Sequence, residues 1–123
     1  HPVIHLMLSQ HHVTHKGASM RLGAYDCVLK DGTKSFHAYG EGNVSERHRH
    51  RFEVNNAYRD QLENAGMIIS GASPDNELVE MVEIADHPWF VATQAHPEFK
   101  SRVARTHPLF KDFVKASLHF KNQ

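Results

Sequence analysis

With 123 residues, the chain fits one small domain or part of a larger one, enough to bury roughly two-thirds of its unfolded surface if it folds alone. Its 14 basic and 14 acidic side chains cancel, so no overall field points to nucleic acid or an anionic membrane, and no apolar run approaches the ~20 residues of a membrane span. The single cysteine excludes an internal disulfide framework and suits a reducing, cytoplasmic compartment.

The chain opens at His1-Pro2 without a methionine and is expected to be a piece of something longer. "HPVIHLML" is a short apolar run, and "SQHHVTHKGAS" has neither helical nor strand period and reads as loop. "MRLGAYDCVLK" predicts a strand over 22–29, closed by Asp31-Gly32, where the glycine supplies the positive φ of a tight turn. "ERHRHRFEV" predicts a strand over 46–54. Its alternation sets Arg47, Arg49 and Arg51 on one face and His48, His50 and Phe52 on the other.

Asn55 or Asn56 can cap a helix over 56–65, with Tyr58, Leu62 and Ala65 on one face and Gly66 at the left-handed stop. Strands follow at 67–70 and 78–84, joined as a hairpin through "SPDN", and a third at 89–95 leads to His96. The last helix, 108–120, starts at Pro108. Leu109, Phe110, Phe113, Val114, Ser117 and Leu118 form the face expected to pack on the sheet. No repeat or linker divides the chain.

The stretch with chemical content is "TQAHPEFK". Pro97 biases His96 out of the helical region, and in an extended or kinked segment residues i and i+2 can point to the same side. A carboxylate of Glu98 on one imidazole nitrogen would leave the other free to take a proton from a nucleophile. A polar turn after a strand has the same sequence. Cys27 is a poor nucleophile: it lies in a strand-like run without flanking glycines, and Asp26 beside it would raise its pKa, so a buried apolar role is expected.

The segments "KGASMRLGAY", "SERHRHRFEVNN", "SGASPDNELVEMVE", "DHPWFVATQAHPEFKSR" and "HPLFKDFVKA" together resemble the C-terminal part of the glutamine amidotransferase domain of the CTP synthase family, from about Gly17 onward. The most specific pieces are the Arg/His alternation of residues 47 to 51 and the His-Pro-Glu-Phe motif, whose His96 follows Arg51 by 45 positions. The resemblance implies an α/β fold, the C-terminal part of a flavodoxin-like class I amidotransferase sandwich with a mixed sheet and flanking helices. Residues 1–123 would then be a partial amidotransferase domain lacking the part that carries the nucleophile elbow.

It further implies His96 and Glu98 as the proton-transferring histidine and its orienting glutamate, and Arg51 as a contact of bound L-glutamine. The attacking cysteine would lie before His1. Ammonia released from glutamine would aminate UTP to CTP, with ATP and magnesium bound in a synthetase half and not in this chain. GTP activation and a homotetramer are further family properties. No cofactor or metal site is expected here. Ala18 and Ser19 depart from the family's usual Gly-Thr, and Ala95 stands where a bulky aromatic is common.

Two other classes fit parts of the sequence. Twelve histidines, including His11, His12 and His15 in one loop, suggest a metal-binding module, although the loop lacks the Cys pairs or closed ligand set of structural zinc. A remnant without chemistry, binding a partner through open strand edges, is the other.

Overall fold

The computed structural model describes residues 1–6 and 20–123. The expectations for the His11/His12/His15 loop and for Ala18 and Ser19 fall outside the described residues.

The strands are β1 (Ile4–Leu6), β2 (Arg21–Leu29), β3 (Asn43–His50), β4 (Phe52–Val54), β5 (Met67–Ala72), β6 (Val79–Ile84) and β7 (Val91–Thr93). The helices are α1 (Lys34–Tyr39), α2 (Arg59–Asn64), which follows a 3₁₀ turn at Asn56–Tyr58, and α3 (Pro108–Lys121). Five strands form one sheet in the order β3-β2-β5-β6-β7, and β1 pairs with β4 in a separate two-stranded ribbon. Every pairing among the described strands is antiparallel.

The sheet grows from adjacent pieces of sequence. β2 and β3 pair over eight residues, from Arg21 opposite His50 to Val28 opposite Asn43, with α1 in the connection between them. β5 and β6 form the expected hairpin, and β7 adds to β6 with Thr93 opposite Met81. Asn55 caps the 3₁₀ turn ahead of α2 by accepting from the Ala57 N–H at 3.1 Å, and Gly66 ends that segment at φ +95°.

Cys27, Leu29, Val44, Met81 and Leu109 form the buried core, with Phe36, Tyr39, Trp89 and Val91 packed against it. Gly71 allows the strands to close on this core. A Cβ there would lie 2.8 Å from Cys27 Sγ, 3.1 Å from Leu29 Cδ2 and 3.2 Å from Met81 Cβ.

Three expectations need correction. α1 and β1 were not anticipated. α1 is only six residues long, and its amino end is held from a distance: Glu83 accepts from the N–H groups of Lys34 and Ser35 at 2.9 and 3.1 Å. The α3 face does not lie flat on the sheet. Leu109 is buried, but Phe113, Val114 and Leu118 stay more than half exposed, because the helix meets the rest of the fold mainly at its start, beside α1. The expected continuous strand 46–54 breaks at Arg51, where the chain leaves the large sheet to pair with β1. The alternation changes phase there, so Phe52 is exposed and Glu53 is buried.

Replacing Gly71 with Ala should destabilise the protein by ~1–3 kcal/mol through overpacking, read as a lowered urea midpoint at unchanged slope. The outer face of β2 (Leu22, Val28) and the free face of α3 leave a large apolar area open to solvent. The 123-residue chain expressed alone should therefore self-associate in sedimentation. A monodisperse monomer that unfolds cooperatively would contradict this.

Candidate active site

His96 lies just past β7 and Pro97 begins a single 3₁₀ turn, Pro97–Phe99. The segment is thus turned rather than extended. Proline's φ near −65° suits the first position of a helical turn as well as a strand, and here the turn prevails, with the Phe99 N–H donating to the His96 carbonyl at 3.1 Å. The outcome for the side chains is the expected one by another route: His96 Nδ1 donates to Glu98 Oε1 at 2.7 Å. That bond leaves Nε2 of the neutral ring unprotonated. It also holds the Glu98 carboxyl below the usual carboxylate range. The Phe99 ring stacks on the imidazole, with centroids 5.1 Å apart and planes 15° from parallel.

The turn is fastened to β3 at two points. The His96 N–H donates to the Arg47 carbonyl at 2.8 Å. Beyond the turn, Lys100 Nζ bonds the Ser45 carbonyl and sits 3.7 Å from Glu46 Oε1. Glu46 is buried and also accepts from Tyr39 Oη at 3.0 Å and His107 Nε2 at 2.8 Å. Burial alone would push its pKa up, but the hydrogen bonds from His107 and Tyr39 and the nearby Lys100 ammonium bring it down overall. His107 Nδ1 accepts from the Leu109 N–H at 3.3 Å, capping α3, so one imidazole ties that helix to β3. Sequence reasoning did not single out Glu46, Lys100 or His107. The buried parity of β3 was the signal that could have exposed Glu46.

Arg51 is half-buried in the bend between β3 and β4, and among the described residues it forms no ion pair. Arg47 and Arg49 are exposed on the outer face of β3, as the alternation requires. On the inner face, His48 is buried and its Nδ1 lies 3.0 Å from His50 Nε2, while Glu80 meets the Arg21 guanidinium. His48, His50 and Glu80 each offer a ligand atom within 4.8 Å of the others. They fit a metal poorly: the two imidazoles are hydrogen-bonded directly to each other, and an arginine already neutralises the carboxylate.

Cys27 is buried, as its sequence context indicates, but the carboxylate acting on it is Glu80 rather than Asp26, which is exposed. Cys27 is 1% exposed, and burial, reinforced by Glu80, pushes its thiol up to about 12. A thiol so protonated is no nucleophile at neutral pH. Ala95 is buried, its N–H donating to Thr93 Oγ1 at 3.0 Å.

These features meet in a recognisable class: the family description "Glutamine amidotransferase class-I" matches residues 3–116, and the chain belongs to that family. Among curated proteins it is 58% identical to the CTP synthase of Methanosphaera stadtmanae over 120 residues, 98% of this chain and 22% of that protein. With the CTP synthase of Moorella thermoacetica it is 59% identical over 117 residues, again 22% of that protein. The chain thus spans about a fifth of the length of these relatives. Among solved structures, the glutaminase domain of Trypanosoma brucei CTPS with bound acivicin superposes with a TM-score of 0.87 at 34% identity, covering 97% of this chain and 47% of that one. No helix among the described residues is long and apolar enough to cross a membrane.

Burial lowers the pKa of His48 from 6.5 to about 4, so the ring is neutral in the fold and the unfolded chain takes up a proton first. Stability present above pH 6.5 is lost as pH falls toward about 4, by roughly 3 kcal/mol in all. Glu80, whose pKa burial raises, acts in the opposite sense. Urea midpoints of wild type and His48→Gln from pH 7 to pH 4 isolate the histidine's share, and the variant should show the shallower decline.

Proposed function

We propose that this chain is the C-terminal part of the glutaminase domain of a CTP synthase, and that His96, Glu98 and Arg51 act on L-glutamine. The observation that carries the reading is the 2.7 Å bond from His96 Nδ1 to Glu98 Oε1 on a ring still 37% exposed: one nitrogen is committed to the carboxylate and the other is free. The family and the CTP synthases this chain resembles support it.

The chemistry follows from that arrangement. His96 Nε2 takes the proton of a cysteine thiol supplied by the preceding part of the domain, and the thiolate attacks the side-chain amide carbon of glutamine. The imidazolium, steadied by Glu98, returns the proton to the departing nitrogen, and ammonia leaves. Water then releases glutamate by the same base. Arg51 holds the glutamine α-carboxylate through two parallel N–H donors. Cys27 has no part in this, so the 123 residues alone are inactive.

In the whole enzyme, the ammonia aminates UTP in a synthetase domain that binds ATP and magnesium, with GTP as activator and a homotetramer as the assembly. The lone buried cysteine is in keeping with a cytoplasmic location.

The test is steady-state kinetics on the full-length protein. His96→Ala should lower glutamine-dependent turnover by at least ~10³-fold, and Glu98→Gln by about 10- to 100-fold. Arg51→Ala should raise the KM for glutamine about 10- to 100-fold, as the loss of a charged hydrogen bond requires. CTP formation from added ammonia should survive in all three. Full glutamine-dependent activity in His96→Ala would refute the assignment.

A further inference from the structure

The bend that carries Arg51 is closed by its neighbours. His50 Nδ1 lies 2.9 Å from the Phe52 carbonyl oxygen, spanning the single residue between β3 and β4. A carbonyl only accepts, so His50 Nδ1 carries the proton and Nε2 of the neutral ring is an acceptor. Its partner at 3.0 Å is His48 Nδ1, which must then be the donor. His48 Nε2 is then unprotonated and makes no hydrogen bond to Glu80 Oε2, 3.7 Å away, while the other Glu80 oxygen meets Arg21, so the chain of bonds begins at His48 Nδ1. The chain of bonds therefore has one direction, from the buried floor of the sheet to the backbone beyond Arg51.

In an unbroken strand Arg51 would point outward beside Arg47 and Arg49. The pairing of β4 with β1 takes the chain out of the large sheet, and the His50 bond closes the bend where the phase changes, with Arg51 half-buried in it.

We propose that His48 and His50 are positioning residues for substrate recognition: their one-way hydrogen-bond chain sets the bend that aims the Arg51 guanidinium at the carboxylate of glutamine. The inference rests on the reading of Arg51 as that contact. It also gives the histidines of the Arg/His alternation a task distinct from that of the arginines. Burial lowers the proton affinity of both rings, which keeps the chain neutral and its direction single near neutral pH.

Two polar replacements separate the two ring nitrogens of His50. Asn keeps a donor where Nδ1 sits and retains the bond to Phe52. Gln keeps a polar group where Nε2 sits and retains the bond to His48 only. In the full-length protein, His50→Gln, which opens the bend, should raise the KM for glutamine about 10-fold, and His50→Asn, which loses only the link to His48, by a smaller factor of about 3, with turnover and ammonia-driven CTP formation within about 3-fold of wild type in both. In His50→Gln/Arg51→Ala the KM should not exceed that of Arg51→Ala alone.

Equal KM effects in the Gln and Asn variants, or none in either, would overturn the proposal while leaving Arg51 in place if Arg51→Ala still raises KM. An unchanged KM in Arg51→Ala would remove the underlying reading and the proposal together. Independently of any variant's folding, ¹⁵N NMR of histidine-labelled wild type should find His50 neutral with Nδ1 protonated; the Nε2-protonated form would refute the chain as drawn.

Discussion

The bond from the His96 N–H to the Arg47 carbonyl organises the site. It joins the end of β7 to β3, two strands at opposite edges of the five-stranded sheet. From that anchor, the Lys100 side chain reaches Ser45 and Glu46 on the same strand, and the strand runs on into the bend that presents Arg51. Residues separated by 45 positions in sequence therefore belong to one piece of backbone scaffold. A site held by main-chain bonds to a regular strand is more rigid than one held by loop side chains alone.

The inner face of that scaffold is unusually polar. Arg21, Glu46, His48, Glu80 and Glu83 are all buried, each engaged by a charged or hydrogen-bonding neighbour. Burying such groups is costly unless partners replace the lost water, so each commits the residues around it to one arrangement. Glu83 fixes the start of α1, Glu46 fixes the His107 cap of α3, and Glu80 fixes Arg21 below the two histidines. Among the described residues, eight apolar side chains are buried against eleven polar or charged ones. Specific polar links therefore set the orientation of the helices against β3, where apolar packing alone would leave more freedom.

Much of this was legible in the sequence where the cause was local. The strand around Cys27, the hairpin after Met67, the cap at Asn55, the stop at Gly66 and the start of α3 at Pro108 depend on neighbouring residues, and they formed near the positions expected. What escaped was non-local. α1 takes a carboxylate cap from a residue 49 positions away, β1 exists only through its pairing with β4, and the phase change at Arg51 follows from leaving one sheet for another. For the site, the pairing of His96 with Glu98 was readable because i and i+2 can meet in a turn as well as in an extended segment. The backbone conformation that brings them together was not, since proline's φ suits both.

The same distinction separates the two halves of the chemistry. In the proposed chemistry the base and its orienting carboxylate lie within three residues and are fastened to one strand, so the His96–Glu98 geometry is complete within this chain. The nucleophile has no such local solution here: the available thiol is in the core, its proton held by burial, and moving it outward would empty the space that Gly71 leaves for it. On the proposed reading, proton transfer depends on how the remainder of the domain places its thiol against His96 Nε2. On that reading, a change that displaces the sulfur would act on turnover, while a change at the His50 bend would act on glutamine affinity. The two kinds of defect enter through different elements of the fold, which is what makes them separable in kinetics.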